Sequence, residues 1–149
     1  NPGEAKACFM KANAMIEQLV REKNTVTLRE MAGHEYSRLG NACGMMGDME
    51  AANDWFQKAL SVSCELAEET KINKHRNLCA AAHFNAALVA EDNKEKAALY
   101  RKAGDLWQDL YRRTNLMDYK YAYNRAANEV VKCAARDRIN ADSSDRTID

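Results

Sequence analysis

Helix breakers are nearly absent from this sequence. Its 149 residues include one proline, Pro2, and six glycines. Long stretches without either residue exclude a turn-rich β fold and favour long helices. No apolar run approaches the roughly 18 residues that a membrane span needs. No basic segment followed by an apolar one stands at the N-terminus, so no signal peptide is visible. No charge sign is in excess, since Lys plus Arg and Asp plus Glu each number 22. That balance gives no reason to expect nucleic acid or an anionic membrane as partner. The five cysteines, Cys8, Cys43, Cys64, Cys79 and Cys133, are odd in number and form no C-x-x-C pair. A disulfide framework is therefore not expected, and a reducing, cytoplasmic compartment is the simpler reading. A glycine-rich phosphate loop and an H-E-x-x-H metal motif are also missing.

What is present is enough to build a core. Hydrophobic residues make up 46% of the chain, which excludes wholesale disorder. Ala5, Cys8, Phe9, Ala12, Met15, Ile16, Leu19 and Val20 recur at three- and four-residue steps. That period predicts a first helix over 3–22 with these residues on one face. Thr27, with Glu30 three residues on, reads as a capping box opening a second helix to 46. Gly47-Asp48 makes a turn, and Asp48 caps a third helix to 70. Further helices are predicted over 73–90, 94–113 and 117–136. Residues 1–137 then form one helical domain, followed by a polar tail over 138–149 that is expected to fray. The connections are short, so consecutive helices run antiparallel.

The chain repeats itself. Phe9-Met10-Lys11-Ala12, Phe56-Gln57-Lys58-Ala59 and Tyr100-Arg101-Lys102-Ala103 share one phrase, in the first, third and fifth helices. A second phrase links Tyr36-Ser37-Arg38-Leu39-Gly40-Asn41 with Tyr123-Asn124-Arg125-Ala126-Ala127-Asn128, in the second and sixth. His83-Phe84-Asn85-Ala86-Ala87-Leu88 fits that slot less well in the fourth. The order is B-A-B-A-B-A. Repeated supersecondary units of this kind stack into solenoids.

One stretch carries a family pattern. Tyr36, Leu39, Gly40 and Cys43, then Ala52, Phe56 and Ala59, resemble the tetratricopeptide repeat. Gly40 and Ala52 then mark the closest approach of two helices, Phe56 fills the gap to the next hairpin, and Ala59 lets that hairpin dock. The match is strong for 36–59 and moderate elsewhere. Cys43 replaces the usual aromatic, and no proline closes helix B. The step from Phe9 to Phe56 exceeds the 34 residues of the standard motif. The chain is thus similar to the extended variety found in kinesin light chains, Pins-type polarity adaptors and bacterial peptide-sensing regulators. The resemblance implies an all-α fold: antiparallel hairpins stacked as a right-handed tetratricopeptide-like α-solenoid of about six helices. The chain opens on a B helix without its A partner, which reads as a piece cut from a longer array or as an isolated first helix serving as a cap.

The resemblance also implies a site. In the family the A helices line a concave groove that holds a peptide or a partner helix. The matching positions are His34, Ser37, Arg38, Asn41 and Met45 in the second helix. In the sixth they are Tyr121, Asn124, Arg125, Asn128 and Lys132. In the extended members an asparagine at the place of Asn41 and Asn128 pairs with the backbone of an extended peptide, whose N–H and C=O an amide serves equally. Arg38 and Arg125 suit an acidic ligand side chain. A chaperone-tail clamp needs a lysine where Ser37 stands, which disfavours that ligand. The implied function is a scaffold or adaptor that binds a protein or peptide, without catalysis, cofactor or metal. A peptide-sensing regulatory domain and a membrane-fusion adaptor are the alternatives. Terminal repeats of a cut array leave apolar faces bare, so self-association through the end helices is also expected.

Other constellations weigh less. His75, Cys79 and His83 fall at i, i+4 and i+8 on the fourth helix. A stripe about 12 Å long is too extended for one ion, so the reading is a buried Cys79 with histidines at its edges. Cys43, Cys64 and Cys133 sit at apolar-stripe positions, where cysteine acts as a small hydrophobe rather than a nucleophile. Trp55, Trp107 and Tyr111 read as core between repeats. Arg112-Arg113 is interleaved with acids and reads as a solvated face.

Overall fold

The computed structural model describes residues 1–145. Among them are six helices and no strand: α1 (Pro2–Lys23), α2 (Val26–Met45), α3 (Met49–Thr70), α4 (Asn73–Val89), α5 (Asn93–Thr114) and α6 (Met117–Asp145). The all-α expectation is met. Each helix packs against the next in sequence, and α2 also touches α4. No helix is long and apolar enough to cross a membrane, among the described residues.

Local chemistry sets the boundaries. The first four amides of a helix lack intrahelical partners, and short side-chain oxygens supply them. Asn1, Asp48 and Asp92 do so for α1, α3 and α5. For α2 the cap is Thr25, whose Oγ1 accepts from Leu28 N at 3.3 Å. The predicted capping box of Thr27 and Glu30 is thereby corrected: Thr27 lies inside the helix, and Glu30 is free for a tertiary contact. Gly47 turns the chain between α2 and α3 at φ 80°, where a β-carbon is disfavoured. Helix α6 runs to Asp145, past the predicted end at 136. No proline interrupts it, and residues 134–141 are exposed.

A second internal repeat emerges at the turns. Thr70 Oγ1 donates to the Leu66 carbonyl at 2.8 Å and accepts from Ile72 N at 3.4 Å. Thr114 Oγ1 does the same with Leu110 O and Leu116 N, at 2.8 and 3.3 Å. Lys71 and Asn115 then take left-handed conformations, at φ 57° and 56°. The spacing between these two turns also separates Phe56 from Tyr100 and Ala59 from Ala103, so α3 and α5 repeat along their whole length.

Packing follows the small-residue pattern. A β-carbon on Gly40 would lie 2.5 Å from the Phe56 ring, so that ring sits directly on the α2 backbone. Phe56, Ala52 and Cys43 join Ala86 of α4 in one buried cluster. A larger one joins Phe84, Tyr100, Trp107, Leu110, Ala126 and Cys133. Trp107 is core, as expected, and its Nε1 donates to Asn77 Oδ1 at 2.8 Å. Helix α1 buries less than its stripe promised. Ile16 is buried, but Cys8, Met15 and Leu19 are exposed, and Asn13 is buried in their stead. A terminal helix has one neighbour, so half of a wide stripe stays bare. Tyr36 ties α1 to α2 by donating to Glu17 Oε1 at 3.1 Å. Burial first, then the Glu17 charge, push its phenol up to about 12.

Candidate functional site

Helix α2 holds the first group of groove candidates. His34, Arg38, Asn41 and Met45 are exposed, and Ser37 is half-buried. Ser37 Oγ donates to Gly33 O at 3.1 Å, closing on its own helix. Arg38 is paired with Glu35 one turn back, and His34 Nε2 lies 3.9 Å from Glu30 Oε1. Arg38, Asn41 and Met45 line a cleft of about 350 Å³ with Ala5 and Phe9 of α1. The side chains assigned to one face of α2 thus meet the N-terminal half of α1.

Helix α6 carries the second group. Tyr121, Asn124, Arg125, Asn128 and Lys132 are all exposed. Lys132 pairs with Glu129 at 2.7 Å. Arg125 lays its guanidinium 4.6 Å above the Phe84 ring, a contact that holds a cation over an aromatic face. Among the described residues, the side chains of Asn41, Asn124 and Asn128 make no hydrogen bond.

Helix α4 stands between the two groups, so they do not converge on one pocket. It presents half-buried Asn85 and exposed Leu88. Counted from the shared threonine turn, Met117 stands where Asn73 stands. That sets Lys132, one turn beyond Asn128, level with Leu88. On the same count Asn128 stands level with Phe84, so the amide of α6 has no amide counterpart on α4.

The hairpin of α3 and α4 brings together what sequence reasoning kept apart. Cys64 of α3 and Cys79 of α4 are joined in a disulfide, with Cα atoms 4.8 Å apart. The expectation of no disulfide is corrected. An odd cysteine count and the absence of C-x-x-C say nothing about two thiols that face each other across helices, and the argument for a reducing compartment loses its footing. His83 Nε2 lies 3.7 Å from Cys64 Sγ. The donor atoms of Cys64, Cys79 and His83 lie within 4.8 Å of one another. Burial, then Lys102, lowers the His83 imidazole to about 4, so it is neutral at physiological pH.

His75 belongs to a different network and is not at an edge. It is 3% exposed. Its Nδ1 meets Thr70 Oγ1 at 2.7 Å and its Nε2 meets Glu30 Oε2 at 3.4 Å. The Lys74 ammonium, then the His75 contact, hold the Glu30 carboxyl below the usual carboxylate range against the opposing effect of burial. A legible signal existed only for the Cys79 and His83 step of four. Cys64 and Glu30 come from other helices, through registers that no local spacing encodes. A broader cleft of about 760 Å³, with Glu50, Asn53, Glu91 and Glu95 among its walls, also went unpredicted.

Compared with protein-family models, curated proteins and solved structures, the chain matches none. The repeat reading rests on the chain's own residues.

Proposed function

We propose that this chain is a protein-interaction module of tetratricopeptide-like construction, in which α2, α4 and α6 form the inner face of a short solenoid and hold an extended peptide or partner helix. The carrying observation is the exposure of Asn41 and Asn128 with their amides unspent on the chain itself. An amide side chain without an internal partner is available to a ligand backbone, whose N–H and C=O it serves together. Packing of each helix on the next, with α2 also on α4, supports a stacked arrangement. In such a stack the exposed faces of alternate helices form a continuous surface. Arg38 and Arg125 flank the amides at the rim, where they favour an acidic residue in the ligand. Leu88, at 49% exposure, gives the middle of the surface an apolar contact. No catalytic role is assigned.

The test is selection of peptides from a random library on the folded chain, followed by affinity measurement against Asn41→Ala/Asn128→Ala. Two neutral hydrogen bonds are worth about 1–3 kcal/mol together, so selected peptides should lose roughly 5- to 150-fold in affinity. Peptides that bind wild type and double variant equally would place recognition elsewhere and defeat the reading.

A further inference from the structure

Cys79 and His83 stand one turn apart on α4, and Cys64 faces them from α3. We propose that these three side chains form a thiol-gated site for a zinc-class ion, closed while the disulfide stands and opened when it is reduced.

The donor set is the first argument. Two thiolates and an imidazole nitrogen are the ligands that zinc prefers among protein groups. With two thiolates and a neutral histidine, the divalent complex carries no net charge, which suits a half-buried place. The second argument is geometry. Tetrahedral zinc, with bonds of about 2.3 Å to sulfur and 2.0–2.1 Å to nitrogen, separates the two donors by roughly 3.6 Å. Cys64 Sγ and His83 Nε2 stand 3.7 Å apart, and all three donor atoms fall within 4.8 Å of one another. The helices are already in place, and reduction leaves only the sulfurs to turn about their Cα–Cβ bonds. Access is the third. An open cleft of about 280 Å³ borders Cys64 and Cys79, so a small reductant and an ion can reach the sulfurs.

The chemistry balances. A dithiol reductant gives two electrons to the Cys64–Cys79 bond, which breaks as a disulfide forms within the reductant, and its two thiol protons end on the protein sulfurs. The divalent ion then displaces both protons to solvent, with no electron moved, and water takes the fourth position. His83 Nδ1 is buried without an acceptor. A zinc-bound histidine normally has such a partner, and its loss costs about 10- to 100-fold in affinity. The site should therefore be an exchangeable one, weaker than a closed structural zinc site.

The experiment uses the full chain, reduced anaerobically with a dithiol, freed of it, and titrated with Co²⁺ as a spectroscopic stand-in for zinc. The expected result is one saturable equivalent with a thiolate-to-cobalt charge-transfer band and tetrahedral ligand-field bands, discharged by Zn²⁺. The unreduced chain should give none of these. Cys79→Ser and Cys64→Ser should each cut the charge-transfer band to half or less and weaken binding at unchanged helicity, His83→Gln should weaken binding tenfold or more, and Cys8→Ser should change nothing. The proposal falls if the reduced chain, with helicity intact, shows no saturable band, or if the band keeps its full intensity in either cluster serine variant. It falls equally if Cys64 and Cys79 of the unreduced chain alkylate as fast as exposed Cys8, for then no gate exists.

Discussion

The two halves of the molecule are built on one sequence phrase but held by different forces. In the first half, α2 and α3 close over Gly40, and polar and covalent ties cross between helices. Arg29 pairs with Glu69 at 2.7 Å, Glu30 reaches Lys74 and His75, and Cys64 is bonded to Cys79. In the second half the ring cluster is larger, beside the Arg76–Asp109 ion pair at 3.3 Å and the Trp107–Asn77 hydrogen bond at 2.8 Å, whereas the first half carries the Tyr36–Trp55 stack at 5.8 Å. Phe84 meets Tyr100 edge-on at 4.9 Å and Trp107 at 5.8 Å, with Arg125 above it. The contrast teaches that a repeat pattern fixes where small residues go but not what tightens the joint. The first half should answer to pH and reductant, and the second to lost volume.

The largest expected effect therefore lies in the second half. Phe84→Ala removes a ring at 5% exposure from contact with two other rings, and large-to-small core changes of this kind cost about 3–5 kcal/mol. Urea unfolding should show the free energy of unfolding falling by that much, and the midpoint falling with it. A loss under 1 kcal/mol would mean that the Tyr100 and Trp107 rings close the gap, and that the halves are less different than their contacts imply.

The next test uses one substitution in each half. Alanine is better than glycine in a helix by about 1 kcal/mol. At Gly104 the added β-carbon would meet Ala126 at 3.6 Å, an ordinary contact, so Gly104→Ala should stabilise by up to about 1 kcal/mol. At Gly40 three Phe56 ring atoms stand at 2.5–2.9 Å, and the ring is buried at 2% exposure. Overpacking of that kind costs about 1–3 kcal/mol, so Gly40→Ala should destabilise despite the propensity gain. Equal signs in a thermal melt would break the comparison.

These positions also show what the sequence could carry. Gly40, Ala52 and Phe56 were readable because a close helix crossing needs small residues at set offsets from a large one. The boundary at Asp48 was readable because capping is local. Thr25 was mistaken for Thr27 because two threonines two residues apart offer the same chemistry, and only the backbone decides between them. The bare half of α1 was illegible because periodicity reports a stripe and not its neighbours. Cys64 with Cys79, and Glu30 with His75, depend on the register of one helix against another. That register is set by the whole packing and is written in no single segment. For the same reason the groove candidates came as two separate lists on α2 and α6.

The smallest expected effect probes the polar joint of the first half. Glu30 faces Lys74 and His75 of α4, with His34 one turn along α2 at 3.9 Å. Its carboxyl is held low chiefly by the Lys74 ammonium. A carboxylate whose folded value lies below its unfolded one binds fewer protons when folded, so it adds stability above the unfolded value. That contribution is lost as pH falls through the depressed folded value. Glu30→Gln should thus cost on the order of 1 kcal/mol at neutral pH, measured as a shift in urea midpoint. The gap between variant and wild type should close as pH is lowered through and below the carboxylate range. Phe84→Ala, measured alongside, should keep its deficit across the same range, because the groups against that ring do not change charge there: burial holds the Tyr100 phenol above its usual value, and Arg125 stays charged. A Glu30→Gln deficit that persisted undiminished at low pH would show that the side chain acts there by shape and not by charge, and the polar account of the first half would need a different anchor.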